Sequence, residues 1–210
     1  MKELLIGMLD VGCLKISPKN PFTYTSGLKG PLYCDNRLIP SHPSLRKLVA
    51  KGFSEIIDKN HIVYDQLAGV ATAGITHAAF LAEFRNEPMS YIRSKPKGHG
   101  LSKIVEGDVK DGANLLLIED LVNQGASLEA VILQLRSSGY KVQTALSIVN
   151  YQTPKAQELL KTLKVDLFSL INFSELAEMA LSEKIVDDEG YDLLKSWHTD
   201  PISWSERHPI

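Results

Sequence analysis

Leu115-Leu116-Leu117-Ile118-Glu119-Asp120-Leu121-Val122-Asn123-Gln124-Gly125-Ala126-Ser127 runs from an apolar tetrad through two adjacent carboxylates into a glycine-containing turn. The tetrad at 115–118, bounded by turn signals, has the pattern of a buried parallel strand. A loop over 120–125 and a helix ending at Ser138-Gly139 are expected to follow. In open α/β sheets ligands sit beyond the carboxyl ends of the strands, so the acidic pair falls where a ligand belongs. Carboxylates accept hydrogen bonds from vicinal ribose hydroxyls. Backbone N–H groups in the turn and at the helix start hold a phosphate. An acidic pair followed by an anion nest therefore suits a ribose phosphate ester. The plainer alternative is an ordinary strand-to-helix turn with solvated acids and a serine cap.

Outward from this stretch the pattern alternates. Strands are predicted at 62–70, 88–92, 142–149 and 165–170, and helices from after Ala71-Thr72-Ala73-Gly74 through about Phe84 and at 154–163. Two more helices are predicted at 174–181 and 187–197, and a polar, basic loop at 93–107. Upstream, Leu4, Leu5, Met8 and Leu9 predict a helix ending near Gly12. Residues 17–37, rich in Pro, Gly, Ser and Thr, predict loop or short hairpin. Ser41-His42-Pro43-Ser44 starts another helix, with an apolar face through Leu45, Leu48, Val49, Phe53, Ile56 and Ile57. Strand and helix alternating in this way give an α/β fold, a mainly parallel twisted sheet flanked by helices.

A chain of 210 residues with 44% hydrophobic and 23% charged side chains is long and apolar enough for one sizeable core, which excludes disordered and fibrous classes. Its net charge of −2 gives no global attraction for nucleic acid or anionic lipid, so any anion must be drawn by a local cluster. Cys13 and Cys34, the two cysteines, are expected to be reduced thiols. No window approaches the ~20 apolar residues of a membrane span. Met1-Lys2-Glu3 leads into a short amphipathic run unlike a signal peptide. A cytoplasmic location, with neither nucleic acid nor membrane as partner, is expected.

The quoted stretch resembles the signature of type I phosphoribosyltransferases, and three further segments resemble the orotate phosphoribosyltransferases among them. Pro21-Phe22-Thr23-Tyr24-Thr25-Ser26-Gly27-Leu28-Lys29-Gly30-Pro31-Leu32-Tyr33-Cys34-Asp35-Asn36-Arg37 is similar to that family's orotate-side loop. Tyr91-Ile92-Arg93-Ser94-Lys95-Pro96-Lys97-Gly98-His99-Gly100 is similar to its mobile catalytic loop, and Trp197-His198-Thr199-Asp200-Pro201 to a tail of one bacterial branch. The resemblance implies transfer of the phosphoribosyl group of phosphoribosyl pyrophosphate to orotate, giving orotidine 5′-phosphate and pyrophosphate in pyrimidine biosynthesis. It implies Lys97, His99 and Asp120 as catalytic residues. Arg93, Lys97, His99, Glu119, Asp120, Leu121, Val122, Asn123, Gln124, Gly125, Ala126 and Ser127 would bind phosphoribosyl pyrophosphate. Lys29, Tyr33, Cys34 and Asn123 would meet orotate.

Mg²⁺ is the implied cofactor, with its shell filled largely by substrate oxygens and no protein ligand assigned. A homodimer with shared active sites is implied as well. The whole chain, 1–210, is expected to be one domain, with residues 1–40 and the C-terminal segment contributing to a small hood. The chemistry of the basic loop is consistent: Arg93, Lys95, Lys97 and Lys103 would stabilise the charge that develops on a leaving pyrophosphate.

The chain departs from the family at Asn123-Gln124-Gly125-Ala126, where two hydroxyl residues and two glycines are usual. Ala126 is expected to be costly there, should the turn require positive φ. Two other readings stand beside the enzyme: a non-catalytic phosphoribosyl-pyrophosphate-binding paralogue or regulator, and a phosphoribosyltransferase for another base.

Overall fold

The computed structural model of the chain describes residues 2–24, 26–93 and 104–208. Leu4, Leu5 and Met8 are buried along α1 (Lys2–Asp10). The turn-rich segment after it forms two small antiparallel ribbons. In one, β1 (Leu14–Ile16) pairs with β4 (Leu32–Cys34); in the other, β2 (Phe22–Thr23) pairs with β3 (Lys29–Gly30). A 3-10 helix, Asn36–Ser41, leads into α2 (Pro43–Lys59), whose proline occupies the first turn, where its missing N–H costs nothing. Of the expected face, Leu45, Val49, Phe53 and Ile57 are buried, while Leu48 and Ile56 are half-buried beside them.

Then come β5 (Gln66–Val70), α3 (Ala73–Arg85), β6 (Met89–Ile92), β7 (Val105–Glu106), β8 (Asn114–Val122) and α4 (Ala126–Ser137). They are followed by β9 (Lys141–Asn150), α5 (Pro154–Leu163), β10 (Asp166–Asn172), α6 (Phe173–Ser182), α7 (Asp188–Thr199) and α8 (Pro201–Arg207). The six-stranded sheet has the order β10-β9-β8-β5-β6-β7, parallel except for β7 at its edge. From β5 the chain moves outward to β6 and then returns to place β8 on β5's other side. The switch point of this doubly wound sheet therefore lies between β5 and β8.

Side chains of β8 alternate between two apolar layers. Leu116 and Ile118 join the layer that holds α1, α2, α3, α6 and α7 residues, while Leu115 and Leu117 join the one built on α4 and α5. Each is at most 1% exposed, and full burial of such a side chain is worth roughly 1.5–3 kcal/mol. The strand that carries the acidic pair is thus held from both faces.

Four expectations change. The strand expected over 62–70 begins at Gln66, because the preceding residues cap β8 instead of joining the ladder. Asp65 donates its N–H to the Asn114 carbonyl, and the Asn114 amide donates to the Val63 carbonyl. β8 does not stop at 118 but runs through Glu119, Asp120 and Val122, since pairing with β9 continues to Val122↔Asn150. The polar stretch 93–107 contains β7, paired with β6. A further helix, α8, ends the described chain, with Pro201 in its first turn and the Asp200 carboxylate accepting from the Ser203 N–H.

Candidate active site

At the switch point a cleft of about 580 Å³ opens. Its walls are Cys34, Asp35 and Arg37, then Ala71, Thr72 and Ala73, and the unbroken run from Glu119 to Leu128. Gly74 lets these segments meet, because a Cβ there would run into the carbonyl oxygen of Ile118. With only hydrogen in that place, the first turn of α3 rests directly on β8, one residue before the carboxylates.

The two carboxylates differ. Glu119 is 7% exposed, and one of its oxygens accepts from the Asp120 N–H at 3.0 Å. Burial, then the neighbouring Asp120 side chain, holds the Glu119 carboxyl well above the usual carboxylate range. Of the two, Glu119 is the one that holds its proton to higher pH. Asp120 is half-buried and faces the cleft. The pair thus offers a hydrogen-bond donor beside an acceptor, matched to the vicinal hydroxyls of a ribose.

Beyond the pair the chain turns into α4. Gly125 has φ of 80° and sits as N-cap of that helix. This left-handed position is the one in the turn that requires glycine. Ala126 is the first helical residue, with no positive φ, so the cost expected for its methyl group does not arise. Asn123, Gln124, Ala126 and Ser127 are exposed toward the cleft, and the free N–H groups of the first turn of α4 favour an anion there. The turn is anchored from behind, where the buried Thr153 hydroxyl donates to the Asn123 carbonyl at 2.7 Å and the Tyr151 N–H to the Val122 carbonyl at 2.9 Å.

No protein-family model matches the chain. A protein from Coxiella burnetii named orotate phosphoribosyltransferase is 39% identical over 197 residues, which cover 94% of each chain. The chain belongs to the orotate phosphoribosyltransferase family. The crystal structure of orotate phosphoribosyltransferase from Aeropyrum pernix is 28% identical, with a TM-score of 0.69 over 83% of this chain and 97% of that one. UMP synthase from Leishmania donovani, 24% identical, has the same fold, with a TM-score of 0.78 over 94% of this chain and 42% of that longer one.

For a member of the orotate phosphoribosyltransferase family, the predicted residues are spread unevenly. The cleft gathers Glu119, Asp120, Leu121, Val122, Asn123, Gln124, Gly125, Ala126 and Ser127, together with Cys34. Lys29 and Tyr33 do not line it. Lys29 lies on β3, where its N–H donates to the Ser205 hydroxyl of α8 at 2.8 Å; Tyr33 is 40% exposed, its ring 6.0 Å from that of Phe22. Arg93, at the end of β6, is paired with Glu106 of β7 at 2.8 Å. Lys97 and His99, with Lys95 and Lys103, lie outside the described residues.

Reading the sequence missed Asp35, Arg37 and Asn36. Arg37 brings a cation to the cleft wall and is held by Asp35 through two hydrogen bonds, at 2.6 and 2.8 Å. The signal was present in Cys34-Asp35-Asn36-Arg37, where an acid and a base two residues apart follow a strand.

Proposed function

We propose that the chain joins orotate to the ribosyl carbon of phosphoribosyl pyrophosphate, releasing pyrophosphate and forming orotidine 5′-phosphate for pyrimidine biosynthesis. Orotate N1, having given up its proton, forms a bond to C1 of the ribose. The C1–O bond to pyrophosphate breaks, and pyrophosphate leaves with the electron pair. The observation that carries this reading is the cleft itself, with an acidic pair, an anion nest and a cation converging at the switch point.

Asp120 and Glu119 grip the ribose hydroxyls in this reading, and the 123–127 turn with the start of α4 holds the 5-phosphate. Lys97, His99 and Arg93 serve the pyrophosphate, where developing charge makes cations worth more in the transition state than in the ground state. Cys34 and Asn123, which line the cleft, serve orotate; Lys29 and Tyr33, on the ribbons outside its lining, would have to reach it by movement of those ribbons. The β1–β4 and β2–β3 ribbons act as the hood, and α8 reaches it through the Ser205 contact with Lys29. Mg²⁺ would need few protein ligands, since the substrate's own oxygens can fill much of its shell, and it would supply charge neutralisation at the pyrophosphate. Among the described residues no group of three or more His, Cys, Asp or Glu gathers to hold a metal.

A cytoplasmic location suits this pathway, and no described helix is long and apolar enough to cross a membrane. The test is an absorbance assay of the purified protein with orotate, phosphoribosyl pyrophosphate and Mg²⁺. Consumption of orotate with stoichiometric pyrophosphate is expected. Inertness toward orotate, with turnover of a purine base, would move the protein to another acceptor.

The assembly proposed is a homodimer whose basic loop completes the partner's site. A mixture of Lys97→Ala and Asp120→Asn chains, each nearly inactive alone, then regains roughly a quarter of the parent activity after subunit exchange, since about half the dimers are mixed and each holds one intact site. No recovery would mean that each loop serves its own subunit.

A further inference from the structure

Asn36 is 1% exposed, and its side chain is spent on two parts of the molecule that the chemistry must keep in register. Its amide donates to the backbone carbonyl of Asp120 at 2.8 Å. Its oxygen accepts from the thiols of Cys34 at 3.2 Å and Cys13 at 3.7 Å, the first at the end of β4 and the second just before β1. The Asp35 N–H donates to the Cys13 carbonyl at 2.7 Å and fastens the start of the 3-10 helix to the same ribbon. His77, fully buried on α3, faces the Asn36 backbone and the Asp120 carboxylate; burial pushes its imidazole down to about 4, so it stays neutral. A primary amide suits this place, because it must donate on one side and accept on the other.

We infer that Asn36 is a positioning residue for Asp120, fixing the ribose-binding carboxylate against the ribbon that carries Cys34. The inference rests on the proposed role of Asp120 in gripping the ribose. A carbonyl held by a buried amide cannot rotate without leaving a polar group unpaired, so the Asp120 peptide, and with it the direction of the Cα–Cβ bond that carries the carboxylate, is fixed before substrate arrives.

The test measures binding of phosphoribosyl pyrophosphate with Mg²⁺ by calorimetry for the wild type, Asn36→Ala and Asn36→Asp, from pH 5 to pH 8. Thermal melts run alongside. Asn36→Ala is expected to weaken binding about tenfold, the worth of one buried hydrogen bond, while the KM for orotate stays within about threefold. In Asn36→Asp a protonated carboxyl can donate to the Asp120 carbonyl, and an ionised one cannot. Its affinity relative to wild type therefore rises as pH falls. Charged and titratable groups around this position are Cys13, Cys34, Asp35, Arg37, His77, Glu119 and Asp120, with His42 and Arg46 at the start of α2. Division by the wild-type value at each pH removes their common contribution.

Wild-type affinity in Asn36→Ala, or a flat Asn36→Asp ratio, would overturn the inference. If Asn36→Ala does not fold, the Asn36→Asp ratio alone decides. A wild type that binds no phosphoribosyl pyrophosphate would remove the proposed function and this inference together. Wild-type binding with undisturbed Asn36 variants removes only the latter.

Discussion

The two ends of the central sheet are both rich in polar side chains, yet they use them in opposite ways. At the amino ends of β5 and β6, around a hollow of about 530 Å³, the groups satisfy one another. Arg85 donates to Glu87 at 2.8 Å, to Ser54 at 2.8 Å and to Asp58 at 2.9 Å, and the Tyr64 hydroxyl donates to the other Glu87 oxygen at 2.6 Å. At the carboxyl ends of β5 and β8, Glu119 is buried beside a second carboxyl group, Asn123 and Gln124 point into an open cleft, and a helix start presents its N–H groups. Polar groups paired with each other hold a fold together. Those held in place with capacity unspent are free to receive a ligand, and they cost stability.

Removing a pairing at the amino end sharpens this contrast most. Arg85 is 18% exposed at its side chain, and Arg85→Met takes the guanidinium from the buried Ser54 hydroxyl and from one Glu87 oxygen. A loss of about 2 kcal/mol is expected, lowering Tm by some 4–8 °C for a domain of this size, with kcat unchanged within about twofold. Thermal melts and steady-state rates check it. A fall in kcat at undiminished Tm would break the comparison.

At the carboxyl end the sign reverses. Glu119 keeps its proton in the folded chain over a pH range in which the unfolded chain has lost it. Folding stability therefore falls as pH rises from the ordinary carboxylate range toward Glu119's raised value, by at most about 1.4 kcal/mol per pH unit. Glu119→Gln keeps the neutral shape without the titration. It should match the parent near pH 5 and be the more stable of the two at pH 8, as read from melts at each pH. A Glu119→Gln chain less stable than its parent at pH 8 would mean that the carboxyl is stabilised by ionisation, contrary to its burial.

The smallest effect is expected at Ala126. Because Gly125 takes the left-handed position and Ala126 begins α4, Ala126→Gly should leave kcat/KM within twofold and cost under ~1 kcal/mol through lost helix propensity. A several-fold gain in turnover would show that the methyl group obstructs the phosphate.

The alternating elements and the acidic pair were legible because each rests on local pattern. Leu115 to Ile118 had to be a buried strand, and Pro154 in a polar stretch had to start a helix. Where the strand ended was not legible. Glu119 and Asp120 look like loop residues in sequence, and only pairing with β9, which no local pattern encodes, keeps them in the ladder. The Ala126 expectation failed for a related reason: the turn places a single residue at positive φ, and the sequence does not say which. Asn36 was hidden because its partners, Cys13 and Asp120, lie 23 and 84 residues away along the chain.

The central claim is that the carboxyl-end cleft grips a ribose phosphate through Asp120. Calorimetric titration of phosphoribosyl pyrophosphate with Mg²⁺ into the wild type and into Asp120→Asn tests it most directly. Loss of one charged hydrogen bond predicts an affinity roughly ten- to a hundredfold lower for Asp120→Asn, about 1.5–3 kcal/mol, with Tm unchanged. Equal affinities, or an Asp120→Asn chain that fails to fold, would contradict the account.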